Sequence, residues 1–415
     1  MMGKAGFVML SMLSMGATYQ MAPAPARHCQ HVTMMAKKPK KDPRVWLPKR
    51  TSPFAREVEV ALQLVSRASA GVLSDVCVQS TAVANIATHA LICDGLTSEF
   101  PEDTIVAPGS AATLKACDTD AQKAALEQIN EQGATTPCVN DFVPPYPDAV
   151  APTALTEADL QATLDKGATT SLGPRTWVLA PVDESAHPVV SLTLLEGGQP
   201  VVCAVALPKM PRTSMGGDKL LRMTVSFDGQ SGAIRPPDGA ILWAEQNIGA
   251  YERSVGGEHG TDVPLRADRQ LIGKRNIASG QVTGVQDFAD VTRCEATPCA
   301  RATALAEELG IKKAPAKSNF AYGLVARGEA MTYFELPDTA ADFDSNVWAH
   351  AAGCLLVTES GGKVTDTVGN PLDFSACRDG AMLPQEVVGV LVTNRDLHPD
   401  VLRQSGLQSM AAANK

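Results

Sequence analysis

Residues Asp344 to Gly362 read DSNVWAHAAGCLLVTESGG, and this stretch decides how the rest of the chain is read. Val347, Ala351 and Leu355 recur at helical spacing, Asp344 or Ser345 stands where a cap belongs, and Gly361-Gly362 supplies a stop. The spacing predicts a helix. VVGVLVTN (Val387 to Asn394) follows as an apolar run of strand length, and PDVLRQSGL reads as a closing helix.

Working outward towards the N-terminus, AMTYFEL and FAYGLVARG (Phe320 to Gly328) read as strands, TALAEELG as a short helix ending at Gly310, and Gln281 to Val291 as extended chain. Farther back lie three strand-like runs, TWVLAPV, PVVSLTLLE and PVVCAVALP, the last two parted by the turn Gly197-Gly198. A polar, Pro-rich passage from Ala111 to Pro174 carries LTEADLQATLDKG as a short helix. Helical spacing is clear again in AREVEVALQLVSRAS, where Val58, Leu62 and Val65 share a face, and in Ala82 to Leu96. Strands and helices interleave in both halves, which favours a layered α/β architecture. The expected division is a targeting segment and basic linker over 1–50, an N-terminal α+β half over 51–210, a C-terminal α/β half over 211–405 and a tail over 406–415.

The chain has 415 residues, is 45% hydrophobic and 20% charged, and carries a formal charge of -9 with 5% aromatic residues. That balance is globular. Acidity and scarce aromatics argue against nucleic acid, whose phosphates need surplus Lys and Arg. No apolar run reaches the roughly 18 residues of a spanning helix, so no transmembrane segment is expected. The first 41 residues contain Lys4, Arg27, Lys37, Lys38, Lys40 and Lys41 and no acid. Their opening has a signal-peptide layout, and the basic continuation resembles a transit peptide. In series the two suit a plastid, with secretion or a mitochondrion as alternatives. The 10 cysteines show no zinc spacing. Cys294 with Cys299, or Cys117 with Cys138, are near enough in sequence to bridge; otherwise the thiols read as core residues. His89, His187 and His350 share no metal-ligand spacing, and His350 reads as a packed structural histidine.

Several segments, in order, resemble the inositol monophosphatase superfamily, and within it the 3'(2'),5'-bisphosphate nucleotidases: WAHAAGCLLVTESGGKVTDTVGNPLDFS (Trp348 to Ser375) with VLVTN, SEFPEDTIVA (Ser98 to Ala107), WVLAPVD, and YGLVARGEA (Tyr322 to Ala330). The resemblance implies a layered α-β-α-β-α sandwich of the sugar phosphatase type and removal of a phosphate from adenosine bisphosphate. It also implies several Mg²⁺ ions held by carboxylates, which polarise the phosphoryl group and generate hydroxide.

Matched position by position, most of those carboxylates are replaced. The family's Thr-x-x-Asp falls on Ala82 to Asn85, its acidic pair on Pro108 and Gly109, and its Asp-Pro-Ile/Val-Asp-Gly-Thr on Ala180 to Ser185. That last segment keeps Asp183 and a hydroxyl at Ser185 but sets Glu184 where a phosphate-facing glycine is usual. The Asp after the helix tryptophan is Ala349, and the lysine before Tyr322 is Ala321. Ala82, Asn85, Pro108, Ala180, Asp183, Ser185 and Ala349 are therefore expected as vestigial positions, with Asp183 at most holding a cation and no cofactor required. The expectation is a chain that is not an enzyme: a pseudo-phosphatase serving as a structural or accessory subunit to other proteins of an organellar assembly. The alternatives are an active magnesium-dependent nucleotidase with relocated ligands, drawn from Asp342, Asp344, Glu99, Glu102 or Asp103, and a sensor that binds adenosine phosphate without cleaving it.

Overall fold

The computed structural model describes residues 52–72, 80–109, 112, 119–134, 154–168, 171–182, 188–211, 239–255, 262–268, 291–293, 313–315, 318–336, 343, 345–378 and 381–404. The strand-like Gln281 to Asp290, TALAEELG, the paired cysteines named above, Asp183 to His187, Asp342 and Asp344 lie outside them. Two sheets organise the remainder. The first is seven-stranded in chain order: β1 (Thr104–Val106), β2 (Arg175–Ala180), β3 (Val190–Glu196), β4 (Gln199–Pro211), β5 (Gly239–Glu245), β6 (Gly249–Ser254) and β7 (Val263–Pro264). Only β1 and β2 run parallel, with Val106 opposite Val178; the other neighbours are antiparallel. The second sheet has the order β11-β12-β10-β8-β9, from β8 (Val291–Arg293), β9 (Lys313–Pro315), β10 (Thr332–Glu335), β11 (Gly362–Asp366) and β12 (Val390–Asn394).

Helices cover the first sheet on both faces. On one lie α1 (Ala55–Val72) and α2 (Thr81–Glu99), with α3 (Thr119–Ala134) and α4 (Glu157–Lys166) beside α2. On the other lie α5 (Ser318–Ala326) and α6 (Val347–Glu359), which also pack on the second sheet. α7 (His398–Gln404) packs on β12. The result is the layered helix-sheet-helix-sheet-helix sandwich. Sheet residues sort largely by parity, with Val201 and Val202 on one side together opposite the irregularity at Leu194/Leu195. Trp177, Leu179, Leu192, Leu194, Val202 and Ala204 join the core under α1 and α2, whereas Val178, Cys203, Val205 and Leu207 join the core shared with α5 and α6. Because both faces are covered, β3 is buried from Val190 to Leu195 and shows no polar alternation. Val58, Leu62 and Val65 are buried as their spacing requires.

Two expectations fail. Phe320 to Ala326 is helical, within α5, and not a strand. A nine-residue helix whose residues Asn319 to Ala326 are buried except for the half-buried Leu324 reads as a nearly continuous apolar run, which periodicity cannot tell from a core strand. Its tight packing explains the residue types: a methyl group added at Gly353 of α6 would fall 2.1 Å from the Tyr322 ring, so only glycine lets the two helices approach. Second, the N-cap residue of α6 is Asn346, which makes no side-chain cap bond, and Ser345 does not fill that role. The Ser345 hydroxyl is engaged 2.7 Å from His350 Nε2, while Tyr322 OH lies 2.8 Å from Nδ1. His350 is fully buried, as a packed structural histidine should be, and burial lowers its pKa.

Candidate functional site

Parallel strands place their carboxyl ends side by side, and loops leaving such ends are the usual place for ligands in α/β folds. In this chain that location is the end of β1 at Val106, followed by Ala107, Pro108 and Gly109, and the end of β2 at Ala180. The parity of β2 turns Val178, and hence Ala180, towards α5 and α6. Ala180 is paired with Ser191 across the antiparallel ladder, so their side chains share that face. From α5, Asn319 Nδ2 donates to Ser191 Oγ at 2.9 Å and to the Trp348 carbonyl at 3.0 Å. Ala349 is the next residue, in the first turn of α6. The sequence-predicted Ala180 and Ala349 thus come to one place, linked through Ser191 and Asn319. Asn319 is buried, and its Oδ1 has no hydrogen-bond partner.

The opposite wall comes from α2, which starts at a well-formed cap where Val83 N–H donates to Ser80 Oγ. Ala82 is exposed on its first turn, and Asn85 presents a second buried acceptor without a partner, Oδ1. One turn on, His89 donates to the Pro108 carbonyl and stays neutral, with burial pushing its pKa down to about 4 against the opposing pull of that carbonyl. Its Nε2 has no partner and lies 2.3 Å from where a Cβ on Gly167 would stand. Gly167 in turn accepts the Ala107 N–H at 2.8 Å. α2, the end of β1 and the end of α4 are thereby tied together, which puts the predicted positions Ala82, Asn85 and Pro108 on one side of the strand ends and Ala180 and Ala349 on the other.

Residues 161–402, more than half of the chain, match the model of the inositol monophosphatase family. The chain belongs to the inositol monophosphatase family. A 3'(2'),5'-bisphosphate nucleotidase of Oryza sativa is 27% identical over 310 residues, covering 72% of this chain and 77% of its own. One of Schizosaccharomyces pombe is 30% identical over 217 residues, covering 49% of this chain and 52% of its own. A solved inositol monophosphatase from Anabaena aligns at TM-score 0.47 and 14% identity, covering 85% of this chain and 95% of its own. The relatives bear the names of phosphatases, and this overturns the expectation of an inactive accessory subunit. Replaced side chains had been read there as lost activity, although oxygen atoms from other residue types or segments can take over a ligand's place.

Which acids serve this family member is narrowed by the geometry. Asp103 precedes β1, at the strands' other end, where it accepts from Arg175 Nε at 3.0 Å and from Trp177 Nε1 at 3.0 Å. The bond from Arg175 to Asp103, more than its bond to Glu57, holds the Arg175 pKa above the ordinary value despite partial burial. Glu99 pairs with Arg56, and Glu102 is exposed in the turn between. Glu99 and Asp103 are thus engaged in ion pairs and hydrogen bonds of the scaffold, beside the exposed Glu102. Among the described residues no three His, Cys, Asp or Glu side chains cluster to hold a metal, and the buried oxygens at the strand ends are neutral. The described residues alone therefore do not fit the family's magnesium set. The described cysteines are free thiols, and burial raises their pKa values, to about 12 for Cys354 and about 11 for Cys377. Among the described residues no helix is long and apolar enough to cross a membrane.

Sequence reasoning missed Ser191 and Asn319. Both are neutral residues in apolar runs, and the only signal was a polar residue with no place in a core, at Ser191 of β3 and Asn319 ahead of Phe320. His89 was read only for metal spacing, whereas its contact with Pro108 depends on long-range packing.

Proposed function

We propose that this chain is a phosphoric monoester hydrolase of the 3'(2'),5'-bisphosphate nucleotidase type, acting at the carboxyl ends of β1 and β2. The observation that carries the reading is the set of relatives bearing that name, some of them matched over about 70% of the chain, joined to buried oxygens without partners at the strand ends. Asn85 Oδ1 and Asn319 Oδ1 can orient a water or a substrate hydroxyl by accepting its proton in a hydrogen bond. An amide cannot take that proton away, so the base lies elsewhere. With Glu99, Glu102 and Asp103 engaged or remote, the carboxylates left near these segments in the chain are Asp183, which follows β2, and Asp342 and Asp344, which precede α6. We assign these three the role of binding the divalent cation that the family's chemistry implies.

Phosphate release from adenosine 3',5'-bisphosphate with Mg²⁺ tests this reading. Asp183→Ala should lower the rate by about 100-fold or more, since one metal's worth of charge stabilisation is several kcal/mol and each ~1.4 kcal/mol is a factor of ten. Release unaffected by Asp183→Ala, Asp342→Ala and Asp344→Ala alike would refute the assignment. The acid-free segment 1–41 is proposed as a plastid address. Import of the full chain into isolated plastids with shortening of its N-terminus is the expected outcome, and exclusion from them the contrary one.

A further inference from the structure

α1 is held at its start by one acidic residue of the sheet. The Ser52 hydroxyl lies 2.7 and 2.6 Å from the two oxygens of Glu245, at the end of β5, and donates to that carboxylate. Phe54 N–H adds a longer bond to the same group at 3.3 Å. Glu245 is only 1% exposed, and burial, partly offset by Ser52, raises its pKa. α1 then runs across β3, β4 and β5 and against α2, so this contact fixes where the outer helical layer begins. Ser52 itself is half-buried, the next residue is the exposed Pro53, and Lys49 and Arg50 stand just before it in sequence.

A serine followed by an exposed proline has the local chemistry that proline-directed kinases select. We propose that Ser52 is a phosphorylation site whose modification unfastens the start of α1. In the reaction the Ser52 oxygen bonds to the γ-phosphorus of ATP, the bond to ADP breaks, and the hydroxyl proton passes to the kinase's base. The transfer removes the donor that satisfies Glu245 and sets a group of charge about -1.5 to -2 against a carboxylate that has almost no water around it. Like charges at that distance in a dry setting cannot both stay, so Ser52 to Phe54 leaves β5 and the first turn of α1 loses its anchor. The inference is independent of the phosphatase reading.

The test treats the full chain with a proline-directed kinase and ATP, maps the label by mass spectrometry and measures the melting temperature. Ser52 should be labelled, Ser52→Ala should abolish that label, and the phosphorylated protein should melt roughly 4 °C or more below the unmodified one. Glu245→Gln removes one of the two opposing charges, so phosphorylation should lower the melting temperature of that variant by less than half as much. No label at Ser52, where a free peptide of residues 46–58 is labelled, would overturn the proposal. So would a label that leaves melting unchanged, or an equal shift in Glu245→Gln.

Discussion

The strand ends of the first sheet and the packing of the second half differ in how they treat buried polar groups. Around α6 and the second sheet most such groups are paired, Asn394 Nδ2 at the end of β12 being an exception: His350 lies between Tyr322 and Ser345, and His398 lies 2.8 Å from Thr393 Oγ1 and 3.0 Å from Thr365 Oγ1. Asp366 accepts three backbone N–H groups of the following turn, from Val368, Gly369 and Asn370. At the strand ends, Asn85 Oδ1, Asn319 Oδ1 and His89 Nε2 are buried with nothing to bond. A buried polar atom without a partner costs about 1–3 kcal/mol. Holding several in one place makes sense where a ligand or its water completes them. Among the described residues, the buried side-chain oxygens left without a partner are Asn85 Oδ1 and Asn319 Oδ1, and both belong to the elements around the strand ends.

Acid should expose that difference most strongly. His89 is neutral in the fold with a pKa of about 4, below its ordinary 6.5. Its stabilising contribution is therefore complete above pH 6.5, and declines as the pH falls towards 4 and the unfolded chain alone binds the proton. The loss should reach roughly 3 kcal/mol, and His398, also lowered to about 4, shifts in the same direction. Denaturant titrations from pH 7.5 to 4.5 should show the midpoint falling, and His89→Gln should flatten the slope; an identical slope would remove His89 from the account.

Gly353→Ala probes the scaffold side. Its methyl group meets the Tyr322 ring, so the two helices must part, at a cost of about 1–3 kcal/mol read by denaturant titration. An unchanged midpoint would mean that α5 and α6 shift without strain. Asn319→Ala should cost less, about 1 kcal/mol, because the lost bonds to Ser191 and Trp348 are offset by removing an unpartnered acceptor. Its main effect should instead be a fall in phosphate release. The smallest stability change is expected for Asn85→Asp, within about 0.5 kcal/mol at neutral pH if a cation accompanies the new charge. There the readout is magnesium-dependent turnover, which should rise severalfold; a loss of both turnover and stability would argue against a cation beside α2.

Legibility in the sequence follows the same division. The stretch from Trp348 to Ser375 was readable because helix period, glycine stop and strand run follow one another, and each is local. β2, β3 and β4 were readable as apolar runs with a glycine turn between the last two. α5 was not, since a helix that is buried almost all round loses its periodicity. The cap of α6 was misplaced because Ser345 bonds to a histidine five residues on rather than to a backbone N–H. At the site, the replaced positions Ala82, Asn85, Pro108, Ala180 and Ala349 could be located from sequence, but their meaning could not. Inactivity was inferred from charge alone, and neither the orphaned amide oxygens nor the engagement of Asp103 by Arg175 and Trp177 is visible without the fold.

The central claim is that this chain, poor in acids around the ends of β1 and β2, cleaves a phosphate ester. Inorganic phosphate released from adenosine 3',5'-bisphosphate by the purified full chain, with Mg²⁺ and then with chelator, tests it most directly. The account predicts release that saturates with substrate, stops with chelator and falls sharply in Asp183→Ala. Release no greater than from buffer alone, by protein that melts cooperatively at the same concentration of Mg²⁺, would contradict it.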